Sequence, residues 1–391
     1  MNGFAKGKGK TITILRLALL LLPLALFSRE VFAQAGKDLH ESYDLNPGGV
    51  ITIRNVSGSI QVTGWDEKKV RVDAVITASR AEDREKVRIQ VTTAPDRLEI
   101  TTVYGTENER RGNYRASVNY KVTIPRGAHL DSVSSVSGDI SVTGVNGRVT
   151  LATVSGDVTA RDIGGALRMR TVSGDASAMD LRAEASVTTT SGNARVERAA
   201  ARVSARSVSG EVNVSEVAGD LEAASVSDDL VARGVEGRAS LSNISGNIRA
   251  SALRAGVRAS SVSGDIEIRE SRGNVSAEST SGSIMITQVD SQDVRLRSHS
   301  GQLRFQGRLS SPGLYEFDSF SGEVEVVIPA DAEFTVRART FNGQIASDFP
   351  LQPDPAAGPG TRNRRMQATV GQGGAQVSMT GFSASLKLRK Q

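Results

Sequence analysis

The chain has 391 residues, 48 basic and 43 acidic side chains, a formal net charge of +5, 39 glycines, 4% aromatic residues and no cysteine. Without thiols there can be no disulfide, no thiolate metal site and no lipid-modified cysteine. Most of the positive charge falls in residues 1–33, where Lys6, Lys8, Lys10, Arg16 and Arg29 stand against Glu30; the remainder is nearly neutral and has no basic stripe with interleaved aromatics, which points away from nucleic acid.

Residues 1–33 read as a secretory signal. A basic start is followed by the apolar run LALLLLPLALF (Leu17 to Phe27) and by small residues in VFAQA, so cleavage is expected after Ala33 or Ala35. The apolar run is interrupted by Pro23 and falls short of the roughly 20 residues of a membrane span. An uncleaved anchor is the alternative. The mature chain is therefore expected to be exported, in the periplasm, at the cell surface or secreted, with no transmembrane helix.

Residues 34–136 are expected to form a β-rich N-terminal cap. It opens with one repeat-like unit, NVSGSIQVTGWD (Asn55 to Asp66), and continues in alternating runs, VRVDAVI, VRIQVTT, LEITTV and VNYKVTIP, that read as antiparallel strands. The polar GTENERRGNYR (Gly105 to Arg115) reads as a loop or hairpin tip. A cap is needed because an open solenoid end exposes a sheet edge and an apolar interior.

From residue 137 the sequence repeats itself. A Ser-Gly pair recurs at Ser137, Ser155, Ser173, Ser191, Ser209, Ser245, Ser263 and Ser281, with Ser227 in the same column, each step being 18 residues without insertion or deletion. Cutting every nine residues from Asp139 gives 16 units, DISVTGVNG, RVTLATVSG, DVTARDIGG and so on to NVSAESTSG. Positions two and four are aliphatic, or Met, in all 16; position seven is aliphatic in 13 and is expected to point inward with them; position nine is Gly in 12. Such alternation marks a short strand with one buried face, and the glycine marks a turn that needs a positive φ or a close approach. One strand and one turn per unit predict an all-β fold: a two-sided parallel β-solenoid of 18-residue coils over residues 137–301. Stepping by six from Ile140 lands on Asn146, which rules out a three-sided hexapeptide helix. Nine coils at about 4.8 Å per rung make a rod roughly 43 Å long. No Phe, Trp or Tyr lies between Lys121 and Arg304, so the interior there must be thin.

Beyond Ser281 the steps loosen, to Ser300, Ser321 and Asn342. Residues 302–349 are expected to form looser terminal coils, 350–376 a Pro/Gly-rich loop, and 377–391 a last strand pair, AQVSMT (from Ala375) and SASLKL.

Candidate chemistry is sparse. His40, His129 and His299 are scattered, and the Ser-Gly pairs lack the strand-to-helix turn of a nucleophile elbow. At the eighth position every second unit carries Ser, a column expected to hydrogen-bond along one edge and tie off turn amides. The residue after each pair, Asp139, Asp157, Asp175, Asn193, Glu211, Asp229, Asn247 or Asp265, forms an acidic column that a divalent cation or arginines would relieve. Calcium-binding nonapeptide repeats place Asp at the sixth position, whereas here only Asp162 and Asp180 stand there within the 16 units. Paired acids for polysaccharide cleavage would need a groove with aromatic walls, and neither is expected. No catalytic, cofactor-binding or metal-binding residue is expected.

The IPRGAHLDSVSSVSGDI entry, the SVSGDI, TVSGDV and SVSGDIEI repeats, the leader and the loose C-terminal coil together resemble a bacterial envelope family of unknown function labelled "putative adhesin", over most of residues 50–388. The resemblance implies an exported, envelope-associated, non-catalytic protein, and it brings no ligand and no site residue with it. The expected function is a scaffold or binding surface for an envelope protein or glycan, with Arg161, Arg168, Arg170, Arg195, Arg206, Arg249 and Glu222 forming a chequered outward face. A polysaccharide lyase or hydrolase on the same fold is the alternative. Oligomeric state is left open.

Overall fold

The computed structural model describes residues 29–32, 35–105, 115–353 and 364–391, so the leader up to residue 28, most of the polar tip after Gly105 and the centre of the Pro/Gly-rich segment lie outside the described residues. Two parallel sheets face each other across a thin core. A front sheet contains strands that follow the Ser-Gly turns, such as Ile140–Val145, Val158–Ile163 and Ala176–Leu181. A rear sheet contains those that precede them, such as Val149–Ser155, Leu167–Arg170 and Ala185–Thr188. Each strand pairs with the strand one coil away in a strict 18-residue register: Val158 with Ala176, Ala160 with Ala178, Ile163 with Leu181, and in the rear Leu167 with Ala185. The two-sided parallel solenoid read from the sequence is the fold.

The core is made of the second and fourth positions of every unit, joined by the seventh of the front units. Val158, Ala160, Val196, Val214, Ala232 and Ile268 are completely buried, with little side chain thicker than isoleucine through the central coils. Aromatic side chains fill the interior only towards the ends, Tyr120 at one and Phe305, Tyr315, Phe317 and Phe334 at the other.

The seventh position departs from the expectation, because only alternate units bury it. In the front strands Ile163, Leu181 and Val217 point inward, whereas in the rear units Val154, Val172 and Val208 are 49%, 41% and 44% exposed. The cause is a backbone kink. Asp162, Asp180, Arg198, Glu216, Ala252, Glu270 and Gln288 all have φ between 52° and 58°, with Gly144 and Gly234 at the same place in their coils. One left-handed residue at the sixth position breaks the two-residue alternation, so the seventh side chain of a front strand turns in instead of out. Rear strands have no such residue, and their alternation carries the sixth side chain in and the seventh out.

The N-terminal end belongs to the same stack. Val50–Arg54 and Ile60–Trp65 form a coil in register with the first repeats, Ile60 beside Ile140 and Val62 beside Val142. Two of the expected antiparallel runs, Arg97–Tyr104 and Ala116–Pro125, are instead parallel to that coil on its outer side. Antiparallel strands then close the end: Val87–Ala94 on Arg97–Tyr104, Lys69–Ala78 on Ala116–Pro125, and Leu39–Asp44 on Lys69–Ala78. Arg29–Phe32, at the end of the predicted leader, pairs antiparallel with Val87–Ala94.

At the other end, Asp293–Gln306, Leu314–Ile328 and Ala375–Lys390 each run unbroken from the rear sheet round the Ser-Gly edge to the front. The expected last strand pair is thus one strand, and it is not last in space. It lies between Leu314–Ile328 and the strands Phe334–Thr340 and Ile345–Ser347, pairing parallel with all three. The segment read as a loop over 350–376 contains a further strand, Arg364–Val370, antiparallel to Phe334–Thr340.

Candidate binding surface

The Ser-Gly edge is built from five residues per coil, and each has a separate task. In Thr171-Val172-Ser173-Gly174-Asp175 the threonine is buried, and its hydroxyl donates to the Gly156 carbonyl one coil back at 3.1 Å. Thr153, Thr189, Ser207 and Ser225 repeat that bond to Gly138, Gly174, Gly192 and Gly210. Asn243 replaces the hydroxyl with an amide that donates to the Asp228 carbonyl at 2.9 Å. The edge is therefore tied together by this buried polar column, not by the serines of the Ser-Gly pairs, which are exposed. Gly174 is required by proximity: a Cβ there would lie 2.0 Å from the Gly156 carbonyl oxygen.

The acidic column is an amide-capping ladder. Asp139 Oδ1 accepts the Asp157 amide at 2.9 Å, Asp157 that of Asp175 at 2.9 Å, Asp175 that of Asn193 at 2.8 Å, and Asp265 that of Ser283 at 2.8 Å. Asn193 and Asn247 serve equally through their side-chain oxygens. The ladder is interrupted at Glu211, and the next coil compensates: Asp228, which stands where other coils have glycine, accepts the Asp229 amide at 2.8 Å. Burial pushes the Asp229 carboxyl up, but the Asn247 amide and the Arg249 guanidinium outweigh it and hold it below the usual carboxylate range. On the opposite edge, a hydrogen bond from Arg198 lowers Asp180 in the same direction.

Beside the exposed serines, an apolar column points outward. Among the described residues twelve large hydrophobic side chains are exposed, and ten of them fall in one column on this edge: Val56, Val136, Val154, Val172, Val208, Ile244, Val262, Phe320, Phe341 and Phe382. The column ends in a stack of four rings. His299 lies on Phe320 with centroids 4.7 Å apart, Phe320 on Phe382 at 4.9 Å, and Phe382 on Phe341 at 5.1 Å, all within 11° of parallel. The rung spacing of about 4.8 Å imposes this separation. The insertion of Ala375–Lys390 brings Phe382 between Phe320 and Phe341, which no spacing in the sequence discloses.

The rings form one wall of a groove of about 730 Å³ that also includes Glu278, Arg297, Asp318 and Arg339. An aromatic-walled groove, which the sequence did not lead one to expect, is thus present. Its two acids are both engaged by Arg297, Glu278 at 3.9 Å and Asp318 at 3.4 Å. A second concavity, of about 1070 Å³, lies on the rear sheet among paired charges such as Arg202 with Glu222 at 3.1 Å.

The other residues singled out from the sequence are dispersed. Arg161, Arg195 and Arg249 project from the front sheet and Arg168, Arg170, Arg206 and Glu222 from the rear, so they do not form one face. Arg206 pairs with Glu222, Arg195 with Glu197, and Arg249 with Asp229 at 2.5 Å. His40 binds Asp73 at 2.9 Å, and His129 accepts the Arg148 amide at 2.9 Å. Only His299 belongs to the site.

Residues 49–277 and 273–384 match one family profile in two slightly overlapping stretches that together take in most of the chain. The chain belongs to the Toastrack DUF4097 family. The family's function is unknown, and the parallel stack described above is the architecture that this Toastrack chain adopts. Among solved structures, a "putative cell adhesion protein" from Clostridium sporogenes is similar at 9% identity, over 91% of this chain and 100% of that one, with a TM-score of 0.16. No match is found among curated proteins. No helix among the described residues is long and apolar enough to cross a membrane.

Proposed function

We propose that this Toastrack protein is an exported, non-catalytic binding protein of the cell envelope, adhesin-like in action, and that its contact surface is the Ser-Gly edge. The observation that carries this reading is the alignment, among the described residues, of ten of twelve exposed large apolar side chains in that single column. Contiguous exposed apolar surface marks interaction sites, whereas scattered apolar residues do not. Export rests on the leader, with its basic start and apolar run before VFAQA.

The aromatic groove gives a polysaccharide-active enzyme its best support, but the arrangement suits binding better. A glycosidase presents one carboxyl to the glycosidic oxygen and keeps the other for the opposite face of the sugar. Here Glu278 and Asp318 share one guanidinium. The two inner rings, Phe320 and Phe382, have both faces covered by their neighbours.

The test is binding of the purified mature chain to envelope fractions. Saturable binding that is lost in the triple variant Val154→Ser, Val208→Ser, Val262→Ser and kept in Arg168→Ser supports the proposal. Equal loss in both, or release of reducing or unsaturated sugar ends from envelope polysaccharide, defeats it.

A further inference from the structure

The contact edge has a period as well as a chemistry, and the period limits what can lie along it. Its side chains repeat with the rungs, about 4.8 Å apart, from Val56 to Phe341. An extended peptide sets same-side residues about 6.8 Å apart and a helix rises about 5.4 Å per turn, so either loses register within a few rungs. A partner that stays in register along the whole edge must itself be a stack of rungs. A second copy of this chain has that spacing and the same apolar column.

The charges beside the column fix the orientation. On its front side run the carboxylates Asp139, Asp157, Asp175 and Glu211; on its rear side stand Arg170, Arg206 (paired with Glu222), Arg297 and Arg339, four guanidinium groups against the two acids Glu278 and Asp318. A two-fold axis parallel to the stack places the acidic side of one copy beside the basic side of the other. The reversed arrangement would bring the two acidic sides together, and like charges at close range repel. The same-direction arrangement also sets each rung against its own equivalent, aliphatic on aliphatic and ring stack on ring stack, as an isologous interface requires.

We infer that two copies of the chain associate edge to edge through the Val56-to-Phe341 column, side by side and in the same direction. This rests on the reading of the edge as the contact surface and names its partner.

The absence of cysteine makes a direct test simple. Single variants Val136→Cys, Ile244→Cys and Val262→Cys would be oxidised in dilute solution beside Ala200→Cys on the opposite edge. Crosslinked dimer from all three edge variants and not from Ala200→Cys is the expected result. Dimer from Ile244→Cys alone, at the middle of the column, would overturn the same-direction arrangement, and no excess over the control would overturn the association itself.

Sedimentation velocity of the cysteine-free chain gives an independent reading. A dimer is expected at tens of micromolar, converted to monomer by the triple serine variant with an unchanged far-ultraviolet spectrum. A dimer that survives the triple variant, or a chain monomeric throughout, sinks the inference. If the monomeric chain still binds envelope through this edge, the proposed function stands without it. If the dimer forms through the edge and envelope binding ignores the triple variant, the reverse holds.

Discussion

The side-chain oxygen of Asp157 accepts the backbone amide of Asp175, one coil further on, at 2.9 Å. The same bond links Asp139 to Asp157 and Asn247 to Asp265. What the column needs is an oxygen at the reach of Asp or Asn, and charge is incidental. Asp157→Ala leaves the Asp175 amide without its acceptor and is expected to lower stability by about 1 kcal/mol. Asp157→Asn keeps the acceptor and removes one of three stacked carboxylates, so its urea midpoint should match or slightly exceed that of the unaltered chain. If Asn proves as damaging as Ala, the charge itself is used, and a cation becomes the first suspect.

Asp228 tests the same ladder from its one break. Replacing it by glycine restores the Ser-Gly pattern of the neighbouring coils, yet it removes the acceptor of the Asp229 amide. Asp228→Gly alone is expected to lower the urea midpoint although it improves the repeat. Glu211→Asp supplies the missing acceptor from the preceding coil, so the double variant should recover most of the loss. The coupling between the two sites is expected to be of order 1 kcal/mol, positive and measurable in a double-mutant cycle. Additive effects would mean that Asp228 is there for another reason.

Glycine at the Ser-Gly turn can be tested by adding one carbon. At Gly174 a Cβ would sit 2.0 Å from the Gly156 carbonyl oxygen, backbone against backbone, with no flexible side chain to give way. Gly174→Ala is expected to cost about 3 kcal/mol or more. Gly127, where an added Cβ meets nothing within 4 Å, provides the control. Gly127→Ala should change stability by less than about 0.5 kcal/mol in the same melt. Similar midpoints for the two would contradict the close packing of successive turns.

The stack was legible in the sequence because its core obeys a single rule. The second and fourth positions of every unit are aliphatic or Met, and most of the core is built from them. The exposed apolar column was not legible, since Ile163 and Val172 hold the same seventh position and point opposite ways. The residue before each distinguishes them. Asp162 takes a left-handed backbone that reverses the alternation, while Thr171, just past its strand, does not, and it turns its hydroxyl to the Gly156 carbonyl. Charged or small residues at the sixth position of front units, against Thr, Ser or Asn in rear units, are the signal that was available. The ring stack had only part of a signal, His299, Phe320 and Phe341 each standing just before Ser300, Ser321 and Asn342. Phe341 and Phe382 meet only because the C-terminal strand enters the stack ahead of a segment that precedes it in the chain.

Asp229 gives the fold a defined acid response. Its carboxyl lies below the ordinary carboxylate range in the folded chain: burial raises it, and the Asn247 amide and Arg249 more than reverse that. The folded state therefore holds fewer protons on this group than the unfolded state, whose value is about 3.9. The contribution is complete above that value and is lost as pH falls through the lower, folded one. Asp229→Asn keeps an oxygen for the Asn247 amide but abolishes the ion pair with Arg249. The difference in urea midpoint between the unaltered chain and this variant should thus be constant from neutral pH to about pH 5 and shrink below about pH 4. A difference that persists unchanged into strong acid, or grows there, would show that the carboxylate is not stabilised in the way its partners imply.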